Sequence, residues 1–164
     1  MAVASTTLST ERLGPESTRI TRMGPNELHL NAPVPRIVER ELSYEIQGAF
    51  YETFNELGPG LSEVLYVRAL EIVLVERGLT VEREYPVVVE FRGQQIGFHR
   101  LDMLVNHRVI LEIKAGPKLP PIAIPQLRNY LGITKLDLGI LLHFGIKPVF
   151  YRELRGFHRV GKKN

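Results

Sequence analysis

The hydrophobic period of this chain first changes at Gly78, and that change limits the folds open to it. Before it, Leu42, Ile46, Ala49, Phe50, Phe54 and Leu57 recur at spacings of three and four, which places them on one stripe of a helix. Leu57-Gly58-Pro59-Gly60 is a stop-and-turn signal. A second helical stretch covers residues 61–77, with Gly78 at its C′ position. It is apolar around most of its circumference (Leu65, Ala69, Leu70, Ile72, Val73), which predicts a largely buried helix. After Gly78 the period is two. Residues 80–91, 96–105 and 108–115 read as three strands of an antiparallel meander, turned at Arg92-Gly93-Gln94-Gln95 and Asn106-His107. Residues 116–125 form a proline-rich loop, and Pro125 can sit in the first turn of a helix through Gln126, Leu127, Tyr130 and Leu131. Residues 138–144 and 149–154 read as two last strands around Gly145-Ile146-Lys147-Pro148. The order α-α-β-β-β-α-β-β predicts an α/β domain with a mixed sheet.

The segments outside this pattern differ in composition. Residues 1–35 are rich in Ser, Thr, Pro, Gly and Asn, lack an apolar period, and read as a disordered extension. Met23 offers an alternative start within it. Residues 36–154 form the folded domain and 155–164 a basic tail. From Lys147 onward the net charge is +5, whereas residues 1–146 carry −2. A basic tail on a nearly neutral body suits a polyanion such as nucleic acid, and suits a solvated terminus equally well. With no cysteine, disulfides, thiolate catalysis and Cys-ligated metal are excluded. The N-terminus lacks the basic-then-apolar pattern of a signal peptide, and no apolar run approaches the about 20 residues of a membrane span. The expectation is a cytoplasmic protein with no membrane partner.

Chemistry concentrates around the second hairpin. Only two aspartates stand against sixteen glutamates, and Asp137 falls in a connection where a turn or cap role suffices. Asp102 lies near the end of one predicted strand, and Glu112 and Lys114 lie on the next. Residues two apart on a strand share a face, so Glu112 and Lys114 point the same way. The surrounding Ile110-Leu111-Glu112-Ile113-Lys114-Ala115 looks buried on both faces, where charges are costly unless paired or metal-bound. Two acids and a lysine near strand ends suit metal-dependent phosphodiester hydrolysis, since Mg²⁺ takes a few carboxylate ligands plus water and phosphate. A buried ion pair on a hairpin explains the same spacing. Gln126 and Tyr130 share one face of the following helix and can be carried over these strand ends. Their bland alternative is helix surface and core. Glu63, on the second helix three residues before Tyr66, is either a metal ligand, an acceptor beside one, or a solvated side chain.

Gly60-Leu61-Ser62-Glu63-Val64-Leu65-Tyr66, preceded by Asn55-Glu56-Leu57-Gly58-Pro59, resembles the signature of the GxxExxY protein family. Gln126-Leu127-Arg128-Asn129-Tyr130-Leu131 and Gly139-Ile140-Leu141-Leu142-His143-Phe144-Gly145 resemble it too. The resemblance spans residues 42–154. That family is similar to the PD-(D/E)XK nuclease superfamily. The resemblance implies an αβββαβ core with a mixed central sheet flanked by helices, and a Mg²⁺-dependent nuclease site in which Mn²⁺ can substitute. It makes Asp102 the motif aspartate, Glu112-x-Lys114 the E-x-K element and Gln126-x₃-Tyr130 the QxxxY element of RecB-type nuclease domains. Glu63 becomes the acid of the first core helix. His99, Leu101 and His143 stand where the family commonly has Tyr, Ala and Asn. By strand alternation His99 should point away from Asp102, as a partly buried structural histidine.

The expected activity is hydrolysis of nucleic-acid phosphodiester bonds. Asp102, Glu112, Glu63 and the Ile113 carbonyl are the candidate metal ligands. Lys114 would position water, and Gln126 and Tyr130 would contact substrate or brace the lysine. The alternative is a non-catalytic module that binds nucleic acid or a protein on the same fold. A chain this small leaves specificity to a second copy or a protein partner.

Overall fold

A computed structural model describes residues 38–156. The expected extension (1–35), the alternative start at Met23 and most of the basic tail lie outside the described residues. Two helices, α1 (Arg40–Leu57) and α2 (Glu63–Glu76), precede three strands, β1 (Val81–Phe91), β2 (Gln94–Val105) and β3 (Val109–Ala115). Helix α3 (Ala123–Thr134) then leads to β4 (Leu138–Phe144) and β5 (Val149–Leu154). The five strands form one sheet in sequence order, antiparallel except for the parallel β3–β4 pair. A parallel neighbour needs a crossover, and α3 supplies it. The fold is the expected α/β architecture.

The sheet separates two apolar clusters. On one face, α1 and α2 pack Ile46, Phe50, Tyr66, Leu70 and Leu74 against Met103, Leu111, Ile113, Leu142 and Phe144. On the other, α3 packs Leu127, Tyr130 and Leu131 against Leu101, Ile110 and Leu141. Strands β3 and β4 are therefore buried on both faces, as the apolar runs Val109-Ile110-Leu111 and Ile140-Leu141-Leu142 predict. Gly139 lets α3 lie close, because a Cβ there would stand 2.6 Å from a Leu127 methyl.

Three expectations need correction. Helix α2 buries only Tyr66, Leu70 and Leu74, whereas Leu65 and Ile72 are exposed, the latter at 59%. One stripe meets the sheet and α1, and its remaining apolar residues have no covering element among the described residues. The β1–β2 turn is Arg92-Gly93 alone, both at positive φ (52° and 75°), so Gln94 and Gln95 already pair as strand. A two-residue turn of that kind follows the strand twist. His99 is exposed, with its ring edge-on to Tyr130 at 5.5 Å.

Candidate active site

The site forms where the β2–β3 pairing stops. The two strands pair from Val105↔Val109 to Met103↔Leu111 and no further. At the next position the Asp102 carboxylate, not a strand carbonyl, accepts the Ile113 backbone N–H, at 2.7 Å. Strand β2 also changes phase there. Leu101 packs on the α3 side, but Met103 and Val105 pack on the α1–α2 side, although residues two apart in a regular strand share a face. The partner strand breaks at the same level. Its pairing passes from Arg83↔Met103 to Tyr85↔Leu101, and the intervening Glu84 has φ 50°. This paired irregularity is why alternation misplaced His99: beyond the break, its side of β2 turns toward α3.

Strand β3 contributes the remaining charges. Glu112 is fully buried and Lys114 half-buried. The Lys114 ammonium lies 2.6 Å from Glu112 Oε1 and 3.9 Å from Asp102 Oδ2, and donates to the Ile113 carbonyl at 3.0 Å. The Lys114 ammonium thus meets Glu112 Oε1, whereas the buried Oε2 has no hydrogen-bond donor among the described residues. One ammonium thus gathers three oxygens from two carboxylates and a carbonyl. The turn after β3 is pinned by buried His143, whose Nε2–H donates to Gly116 O at 2.9 Å.

The electrostatics show a deficit of positive charge. Burial, then the neighbouring Asp102 carboxylate, push Glu112 up to about 7 despite Lys114. Burial also raises Asp102, against the opposing Ile113 N–H and Lys114. Burial works to lower Lys114, but Glu112, Asp102 and Glu63 outweigh it and the net shift is upward. Lys114 is therefore a firmly protonated donor at neutral pH.

Two helices flank this centre. On α3, Gln126 Nε2 donates to the Tyr130 hydroxyl at 2.6 Å. Burial raises the Tyr130 pKa and the Gln126 contact opposes it, while Glu112 and Asp102 raise it further, so the phenol lies within the field of both acids. Glu63 is the first residue of α2 and acts on Asp102, Glu112 and Lys114 through space. Among the described residues no three acidic, His or Cys side chains cluster as a metal cage, so Glu63 stands outside the close group. Tyr66 explains how Glu63 is placed. Its fully buried ring stacks on Phe144 at 4.2 Å, and its hydroxyl donates to Gly58 O at 2.5 Å and accepts from Leu61 N at 3.2 Å. The tyrosine locks the turn that begins α2. Spacing alone had shown its helix face but not this contact.

The donor set is all oxygen, which is what a hard divalent cation takes. A buried carboxylate with an unsatisfied oxygen, a second acid beside it and a raised pKa is the feature such a cation would relieve. The residues present fit Mg²⁺ or Mn²⁺.

No curated protein matches the chain. A solved structure described as "Crystal structure of SSO0001" shares 21% identity at a TM-score of 0.48, covering 71% of this chain and 63% of that one. This chain thus spans less than two thirds of that protein's length. Among the described residues no helix is long and apolar enough to cross a membrane. The PD-(D/E)XK nuclease superfamily matches residues 40–155, which takes in both helical layers, the whole sheet and the Asp102–Glu112–Lys114 group, and the chain belongs to that superfamily.

Proposed function

We propose that this chain is a Mg²⁺-dependent nuclease, with Mn²⁺ as a substitute, that hydrolyses phosphodiester bonds of nucleic acid. The observation that carries the reading is the buried Glu112 carboxylate, with one oxygen on Lys114 and the other without a donor among the described residues, beside Asp102 where two strands part. Asp102, Glu112 and the Ile113 carbonyl would hold the cation, with Glu63 adding negative charge from α2. When bound, the cation polarises a phosphoryl oxygen and lowers the pKa of a water. Lys114, held protonated by its neighbours, donates to that water or to the charge that develops on the phosphate. Gln126 and Tyr130 are already hydrogen-bonded to one another and present a joint polar contact to substrate or to Lys114. The reading also assigns the chain to a GxxExxY-like group within the superfamily. Gly60, Glu63 and Tyr66 fit that signature, and Gln126 with Tyr130 fits a QxxxY element.

The test is incubation with labelled single- and double-stranded DNA and RNA, with and without Mg²⁺ or Mn²⁺, against Lys114→Ala as the blank. Cation-dependent cleavage lost in the variant supports the reading. Cleavage that persists in Lys114→Ala and Asp102→Asn refutes it. A second reading, a non-catalytic binding module, draws on the exposed apolar residues of α2, Val64, Leu65, Ile72 and Val75. Isothermal titration with Mg²⁺ separates the two: a binding module takes up no cation, and its uptake does not change in Asp102→Asn.

A further inference from the structure

A second cavity, of about 380 Å³, lies between α1 and β5, lined by Arg40, Ser43, Tyr44, Gln47, Phe150, Tyr151 and Arg152. Its α1 contributors stand at positions i, i+3, i+4 and i+7, so one helix face builds one wall. The opposite wall is the edge strand β5. Arg152 pairs with Ile140, which pairs with Leu111, so it lies two strands, about 10 Å, from the residue before Glu112. It also lies on the other face. Phe150 and Leu154, two residues to either side of Arg152, pack in the α1–α2 cluster, whereas Glu112 and Lys114 alternate with the residues facing that cluster. The cavity is separate from the Asp102–Glu112–Lys114 group.

Its described lining is basic. Among the described residues no acid lines it. One Arg152 amino group donates to Val38 O at 2.6 Å, while the Arg152 Nε and the Ser43 hydroxyl are buried within the wall. Burial lowers the Arg152 pKa with no carboxylate opposing it, the mark of a cation sunk into the wall without a counter-charge. The Arg40 guanidinium lies over the Tyr44 ring at 5.7 Å, and Tyr44 is mostly exposed on its α1 turn. Two guanidinium groups, of Arg40 and Arg152, suit a phosphate. An adjoining open aromatic face suits a planar base. The volume is in the range that holds a small organic ligand.

We propose that this cavity binds a nucleotide, with the Arg40 and Arg152 guanidinium groups holding its phosphate and Tyr44 stacking on its base. The nucleotide can be free or can be one unit of a nucleic-acid strand; the phosphate chemistry is shared. Two arginines from elements more than a hundred residues apart in sequence converge on this one cavity, and no acid meets them there.

The test is isothermal titration of the full chain with AMP, adenosine, inorganic phosphate and the dinucleotide adenylyl-adenosine, in EDTA. Each titration is repeated on Asp102→Asn to remove any contribution from the other site. AMP or the dinucleotide should bind with a Kd below about 1 mM, and adenosine at least about tenfold more weakly. Binding of AMP alone identifies a free nucleotide, and binding of the dinucleotide identifies a strand. Arg40→Gln is the chief variant, because Arg40 is exposed at the start of α1 and supports no core contact. It should weaken binding about tenfold with the melting temperature unchanged. Tyr44→Ser should weaken AMP about fivefold but leave phosphate alone. The proposal is overturned if neither AMP nor the dinucleotide binds below about 1 mM. It is overturned equally if adenosine binds as well as AMP, if Arg40→Gln binds normally, or if Asp102→Asn abolishes the binding.

Discussion

Replacing Glu112 by Gln should stabilise the fold while destroying its use of a cation. Glu112 titrates at about 7 in the folded chain against an ordinary value of 4.5. The folded state therefore prefers the protonated acid. That advantage is complete below pH 4.5 and is lost as pH rises through 7. Each pKa unit is worth about 1.4 kcal/mol, so ionised Glu112 costs the fold about 3 kcal/mol at pH 8. A Gln cannot ionise and its amide oxygen can face the Lys114 ammonium, but its NH₂ gains no ready acceptor, an offset of about 1 kcal/mol. The net gain is about 2 kcal/mol at pH 8, or about 8 °C in melting temperature for a domain of this size. At pH 4.5 the wild type and the variant should melt together or with the wild type slightly ahead. Mg²⁺ reverses the order. A cation at about a hundred times its Kd stabilises the wild type by about 2.7 kcal/mol and leaves the variant untouched. Thermal melts from pH 4.5 to 8, in EDTA and in Mg²⁺, read all of this. If Glu112→Gln melts below wild type at pH 8 in EDTA, burial does not oppose this charge, and the argument from an unsatisfied carboxylate to a cation site fails.

Other consequences follow from the same geometry. Asp102→Asn keeps an oxygen to accept the Ile113 N–H, so it should melt within about 1 kcal/mol of wild type, and Lys114→Ala should also remain folded. Both should lose cleavage by at least about a hundredfold in a nuclease assay, an effect of the size seen when a positioned charge is removed. Since a cation competes with a proton for Glu112, Mg²⁺ affinity measured by titration calorimetry should rise up to about tenfold per pH unit below pH 7 and level off above it. Tyr66→Phe removes two hydrogen bonds at the start of α2 and should cost about 1–3 kcal/mol in urea unfolding. Gly139→Ala should cost about 1–3 kcal/mol, because the added methyl collides with Leu127.

Most of the fold was legible because its signals are local. The stripe Leu42-Ile46-Ala49-Phe50, the turn Leu57-Gly58-Pro59-Gly60 and the doubly apolar run around Glu112 each depend on neighbours within one element, and the elements form where those patterns lie. The close group of Asp102, Glu112 and Lys114 was legible for the same reason: a short hairpin brings them together. Three things were not. The burial of α2 is decided by what packs on it, and an apolar residue such as Ile72 carries no sign of whether a partner element exists. The direction of His99 depends on a phase break at Asp102 and Glu84, and alternation assumes a strand without one. The cavity between α1 and β5 had no sequence signal at all, because Arg40 and Arg152 meet only after the chain has folded.

The phase break and the carboxylate chemistry have one physical origin. A regular antiparallel pair would hand the Ile113 N–H to a backbone carbonyl of β2 and leave Asp102 beside the sheet. Here the Asp102 side chain takes that N–H itself, so the ladder can end without orphaning a buried donor. Ending the ladder lets the strands part at the level of Glu112, and that opening makes room for Lys114 to reach back over both acids and the Ile113 carbonyl. The aspartate is thus both the stop of the sheet and a wall of the site. Its second carboxylate oxygen is the one left to meet a cation. A longer Glu at this position would place its oxygens about one bond further from the backbone, beyond the short link to Ile113. The chain holds sixteen glutamates and two aspartates. Asp102→Glu should therefore fail in a way that Asp102→Asn does not. It keeps the charge but loses the ladder stop, so hydrogen exchange at Ile113 should speed up in Asp102→Glu and stay slow in Asp102→Asn. Equal protection of Ile113 in the two variants would show that the strand end does not depend on the short side chain.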